Sequence, residues 1–157
     1  MGTLAERRQK RRIAESSKNN FSLPVNAWEN EPCFIIGGGA SLHGFDFDQL
    51  IGKGHAIAVN NAFEVAPWAE YLFFADRRWY DWNYQKLPDF PGTIVSRSGI
   101  TAKNGSRVFR IGRTNRHPLS REAGCVAGFC GGANALNMAY ILGADPIFLL
   151  GFDMYPA

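Results

Sequence analysis

The stretch CFIIGGGASLHGFDF, residues 33–47, carries the residues best suited to chemistry. An apolar run stops at Gly37, Gly38 and Gly39, and Ser41 follows two residues later. Glycines between a strand and a helical turn let backbone N–H groups approach a phosphate closely, and a serine hydroxyl adds a further donor. Backbone amides near Gly38 and Gly39 are therefore expected to face an anion. The dinucleotide fingerprint G-x-G-x-x-G fails at its third place, which is Leu42, and the acid expected about 20 residues on is replaced by Asn60-Asn61. NAD is disfavoured. An amide at either asparagine still bonds a sugar hydroxyl or a base edge. No Gly-Lys-Ser/Thr follows the glycines, so the Walker loop is excluded.

Other chemistry-bearing residues fall at comparable places. Gly131 and Gly132 open a helical segment, Asp153 follows an apolar run, and Asp76 ends another. Asp76 reads equally as a base and as the N-cap of the following helix. His117 lies in a basic segment that could swing over a site, whereas His43 and His55 read as surface or loop histidines. The catalytic residue is unknown from the sequence, with His117 and Asp76 as candidates. No Ser-His-Asp spacing, H-E-x-x-H motif or catalytic carboxylate pair occurs. Cys125 and Cys130 form a C-x4-C without a second pair, so no metal site is expected. With Cys33 they read as reduced thiols of an intracellular, cytoplasmic protein.

These residues need a scaffold. Apolar strands are expected at 33–37, 55–60, 70–76 and 146–153, the last one buried. Residues 92–97 and 107–112 read as strands or a hairpin. A short helix capped by Asp46 is expected over 45–50, with longer helices over 76–87 and 131–144, the latter stopped by Gly143. Together they predict an α/β, Rossmann-like, mostly parallel sheet with helices on both faces. Ligands bind such sheets at the carboxyl ends of the strands. Here those ends read Gly37-Gly38-Gly39, Asn60-Asn61, Ala75-Asp76 and Gly151-Phe152-Asp153.

The 157 residues, 46% hydrophobic and 20% charged, suit one globular domain, and no apolar run approaches the roughly 20 residues of a membrane span. The formal charge of +3 is uneven. Residues 1–18 net +4 and read as part of a basic flexible arm, 1–22, ahead of a domain at 23–157. The arm would meet a polyanion or a protein partner by charge. Residues 97–121 hold Arg97, Lys103, Arg107, Arg110, Arg113, Arg116 and Arg121 with no acid. Such a run repels itself unless solvated or met by an anion. A homo-oligomer is left open.

The blocks FIIGGGASL, AIAVNNAF, LFFAD and CGGANALNMAYILGADPIFLLGFDMY, spanning residues 33–155, resemble bacterial sialyltransferases of the CMP-sialic-acid type. They also resemble hydroxymethylpterin-diphosphokinase-like proteins and short phage or prophage relatives. The resemblance implies a sheet that binds a CMP-type nucleotide sugar as substrate, without metal or prosthetic group. It places Gly37, Gly39, Ser41 and Asn60 on the nucleotide and Tyr155 near the phosphate. The family's Thr-Ser-Gly turn reads Cys130-Gly131-Gly132 here, without the serine hydroxyl. Its general base is a histidine further downstream than Ala157, so weak or no transfer is expected of this chain. The alternative is a phage-type binding or assembly protein that keeps the scaffold without catalysis.

Overall fold

The computed structural model describes residues 21–154. The expectations for the basic arm fall largely on residues 1–20, outside the described residues. Six strands form one sheet: β1 (Cys33–Ile36), β2 (His55–Val59), β3 (Tyr71–Phe74), β4 (Thr93–Ser96), β5 (Val108–Arg110) and β8 (Ile147–Leu150). Their order is β5-β4-β3-β2-β1-β8 and every neighbouring pair is parallel. The register sets Ile35 beside Ile57 and Leu149, and Val95 beside Phe73 and Phe109. This is the Rossmann-like α/β fold the sequence predicts.

Near-continuous apolar runs form the inner strands because both sheet faces are covered. Alternate residues feed two cores. Ile35, Ile57, Val59, Phe73 and Val95 pack under the helix α2 (Gly131–Ile141) through Ala135, Met138, Ala139 and Leu142. Ile36, Ala58, Leu72, Phe74 and Ile94 pack on the other face against Trp79 and Tyr80 of the helix α1 (Arg77–Asn83) and against Phe63, Leu87 and Phe90. Four 3-10 turns complete that side, at Ala40–Leu42, Phe47–Leu50, Asn60–Glu64 and Leu87–Asp89.

Several expectations are corrected. The helix expected over 45–50 is a 3-10 turn from Phe47 to Leu50, although Asp46 does cap it by accepting from the Asp48 amide at 3.1 Å. The helix expected over 76–87 is shorter, because its cap Asp76 places the start at Arg77 and the chain unwinds after Asn83. Residues 107–112 form no hairpin: β5 runs parallel to β4. A second small sheet, β6 (Gly112–Arg113) with β7 (Cys125–Val126), was not anticipated. The strand expected to be buried at 146–153 is β8, at the sheet edge, with Phe148 and Leu149 44% and 48% exposed. Phe21, assigned to the arm, packs with its ring 5.1 Å from that of Phe109, and its amide donates to the Arg110 carbonyl. Gly143 ends α2 with φ +85, as expected of a glycine after a helix.

Two buried asparagines tie α2 to the loops before it. Asn137 is fully buried; its Oδ1 accepts from the Ser120 and Ala127 amides at 2.9 and 2.7 Å, and its Nδ2 donates to the Ser120 carbonyl at 2.8 Å. Asn134 Nδ2 donates to the Ala127 and Gly128 carbonyls. A helix-interior asparagine is a poor helix former, so it is explained by what it holds. Removing it orphans buried amides at about 1–3 kcal/mol each. Asn137→Ala is expected to lower unfolding stability by about 2–4 kcal/mol. Asn115→Ala, in the exposed neighbouring loop, should stay within about 0.5 kcal/mol by urea denaturation.

Candidate functional site

The pairing of β1 with β8 continues past both strands. The Gly37 amide donates to the Leu150 carbonyl at 2.8 Å and the Gly39 amide to the Gly151 carbonyl at 2.9 Å. A Cβ on Gly37 would lie 2.9 Å from the Gly151 oxygen and 3.1 Å from the Phe152 ring; on Gly39 it would lie 2.5 Å from that oxygen and 2.6 Å from the Asp153 carboxyl carbon. These two glycines admit the chain itself. Gly38 is different: it is exposed, and a Cβ there meets nothing within 4 Å. Of the three, Gly38 leaves room for a ligand.

Ser41 and Asp153 close the loop on itself. The Ser41 amide donates to Asp153 Oδ2 at 2.9 Å and the hydroxyl donates to Oδ1. The hydroxyl bond, then the amide bond, holds the Asp153 carboxyl below the ordinary carboxylate range. The anion on this part of the loop is thus the chain's own carboxylate.

The asparagines divide. Asn60 takes a left-handed backbone, φ 53, where β2 gives way to the 3-10 turn, and is exposed. Asn61 Oδ1 accepts from Trp79 Nε1 at 2.5 Å, which commits it to the fold. The first turn of α2 reaches the same edge: a Cβ on Gly131 would lie 3.2 Å from Val59 Cγ1, and one on Gly132 would strike the Phe152 ring. The N-cap Cys130 is extended and makes no side-chain cap. The first-turn amides of α2 therefore lack the side-chain acceptor that usually satisfies them.

One sheet edge thus collects Gly37, Gly38, Gly39, Ser41, Asn60, Gly131, Gly132 and Asp153. Asp76 ends β3 at this edge, but its carboxylate accepts from the Arg78 amide at 2.8 Å as the cap of α1. His117 is exposed in a loop that lines a cleft of about 460 Å³ with Arg116, Phe129, Cys130 and Ala133, on the approach to the α2 N-terminus. Tyr155 lies outside the described residues. His43 is exposed. His55 sits at the opposite end of the sheet, bonded to Glu31 and Glu70 and stacked on Trp28. Burial, then Glu70, pushes the Cys33 thiol up to about 12, so it is no nucleophile. Among the described residues no cluster of His, Cys, Asp or Glu has the makings of a metal site, and no helix is long and apolar enough to cross a membrane.

The different tasks of the three glycines escaped the sequence reading, since the pattern cannot show which of them β8 crosses. The basic segment also resolves unevenly. Lys103 reaches Asp81 at 3.2 Å, Arg107 covers Phe109 and Arg113 covers Phe129.

No family model and no curated protein sequence matches the chain. Its fold is similar to part of a solved structure, the MAf glycosyltransferase from Magnetospirillum magneticum AMB-1, with a TM-score of 0.62 at 14% identity. The match covers 92% of this chain and 27% of that one, so the chain spans about a quarter of that protein's length. The chain therefore has a glycosyltransferase-like fold.

The Ser41–Asp153 latch is open to a pH test. A carboxyl whose pKa is lower folded than unfolded contributes stability above its unfolded pKa, and loses it as pH falls through the folded value. The Ser41 amide resonance should titrate with a midpoint below about 3.9, the value of a free aspartate. Asp153→Asn should abolish that titration. A midpoint at or above the free value would show the latch absent in solution.

Proposed function

We propose that this domain binds a nucleotide sugar, of the CMP type, at the carboxyl edge of its sheet. The open face of Gly38 beside the uncapped start of α2 carries this reading. Exposed amides at a helix N-terminus favour a phosphate, and a glycine without neighbours lets it approach. Asn60 is exposed at the next strand end, where its amide can meet a sugar hydroxyl or base edge. The glycosyltransferase-like fold and the CMP-type sequence blocks supply the substrate class.

The described residues are better arranged for holding a donor than for deprotonating an acceptor. Asp76 is spent on a helix cap and Asp153 on Ser41. His117 alone stands in a cleft leading to the edge. A positioned base supplies about 10²- to 10⁴-fold of rate, so binding is expected to exceed turnover for this chain by itself. A second reading, a binding or assembly domain without catalysis, is favoured by the apolar outer strand β8 with Phe148 and Leu149 exposed.

Gly38 and Gly39 separate the roles of the loop. Gly38→Val should fold with stability within about 0.5 kcal/mol of the parent and lose CMP binding by calorimetry. Gly39→Val should lower the melting temperature, because its side chain collides with Gly151 and Asp153. CMP binding untouched by Gly38→Val would refute the donor site. A complex on gel filtration with no response to CMP would favour the assembly reading.

A further inference from the structure

The carboxyl edge runs on past Asn60 and Asp76 to the end of β4, where the chain reads Ser96-Arg97-Ser98. This strand end is fixed: Ser98 Oγ donates to the Ala75 carbonyl at 2.7 Å, and the Ser98 amide donates to Ser96 Oγ at 3.1 Å. Val95 faces the core under α2, and Arg97 follows the last residue of β4 directly, half-buried in the bend that leaves the strand. Arg97 Nη1 is buried and has no hydrogen-bond partner. No acidic side chain among the described residues pairs with Arg97.

That is an unusual state for a guanidinium. A guanidinium nitrogen shut off from water is normally hydrogen-bonded, because its lost hydration is otherwise uncompensated. Other cations of the segment have partners of their own, Lys103 on Asp81 and Arg107 and Arg113 on aromatic rings. A half-buried arginine at this turn, with a nitrogen shut off from water and no acid paired to it among the described residues, makes a place that an anion would stabilise.

We infer that Arg97 is the receptor for a carboxylate or phosphate group of the substrate bound along this edge. Three strand spacings of about 4.8 Å separate β4 from β1, which puts Arg97 about 14 Å along the edge from Gly38. One phosphate cannot touch both, so Arg97 meets a second anionic group, at the far end of the donor or on the acceptor. The planar guanidinium can offer such a group two parallel N–H bonds, which lysine cannot. That the group belongs to a transferase substrate rests on the reading above; the anion site itself does not.

The test uses the full chain labelled with nitrogen-15. The Arg97 Nε–H resonance, identified by its loss in Arg97→Gln, is titrated with inorganic phosphate and with acetate at constant ionic strength. A saturable shift is expected, at least tenfold weaker for the Arg97→Lys chain as read by backbone amides of the 96–99 turn. Phosphate acting at lower concentration than acetate assigns a phosphate, and the reverse a carboxylate. Arg97→Met should raise the melting temperature without ligand and remove any rise produced by phosphate. An equal response to chloride would overturn the inference, as would a less stable Arg97→Met chain that keeps its phosphate response. CMP added to the same sample is read at the Gly38 amide. A response there with Arg97 silent to every anion overturns this inference alone, and the opposite pattern overturns the donor reading alone.

Discussion

The edge of this molecule depends on how two parallel strands leave the sheet together. β1 and β8 are neighbours, and their hydrogen bonding persists beyond both, through Gly37 to Leu150 and Gly39 to Gly151. At a topological switch point the two exit loops usually part and leave a crevice. Here the Ser41 amide and hydroxyl hold the Asp153 carboxylate, and the crevice between these loops is filled by protein. The open surface is displaced toward β2 and α2, where Gly38 is bare, Asn60 is exposed and the helix start is uncapped. Glycine at 37 and 39 is thus demanded by close chain packing, while glycine at 38 is demanded by nothing inside the domain.

The start of α2 is held in position from behind. Its N-cap lacks a side-chain acceptor, a weakness that elsewhere costs about 1 kcal/mol. Asn134 and Asn137 fasten its first two turns to the 120 and 127–128 loops, and Ala135, Met138 and Ala139 seat it on the sheet. The helix keeps its place through buried contacts a turn or more away, and its first amides are left without a side-chain acceptor. Gly131 and Gly132 then let the helix settle against Val59 and Phe152 without a side chain between.

Much of the fold was legible because buried parallel strands are written as apolar runs, and 33–36, 55–59 and 71–74 fell where such runs lie. β8 was misread for an instructive reason. Ile147–Leu150 is as apolar as any inner strand, and a run of that kind does not reveal whether a further strand covers it. The small β6–β7 sheet was invisible, since two-residue strands carry no period. At the edge, the sequence marked segments that the fold brings to one side of the sheet, but not which of their residues the fold uses for its own packing and hydrogen bonds. Asn60 and Asn61 are identical in type, and only the fold shows that Asn61 accepts from Trp79 while Asn60 opens the 3-10 turn in a left-handed backbone. Arg97 was one cation among seven until burial separated it from the rest.

The arrangement bears on whether this edge serves a ligand or is only a relic of one. A domain kept as an inert scaffold gains by closing such features. Alanine at 38 would reduce the freedom of the unfolded chain without meeting a neighbour, which favours folding by about 0.4–1 kcal/mol. An apolar side chain at 97 would remove a buried, unpartnered nitrogen. A serine at 130 would cap α2. Each change is one substitution away from a more stable protein, and all three sites lie on a single edge of the sheet, at the ends of β1 and β4 and the start of α2. Local choices that work against stability are expected where a ligand completes the structure. The spacing of the three, across several strands, suits a substrate lying along the edge better than a lone ion in a loop.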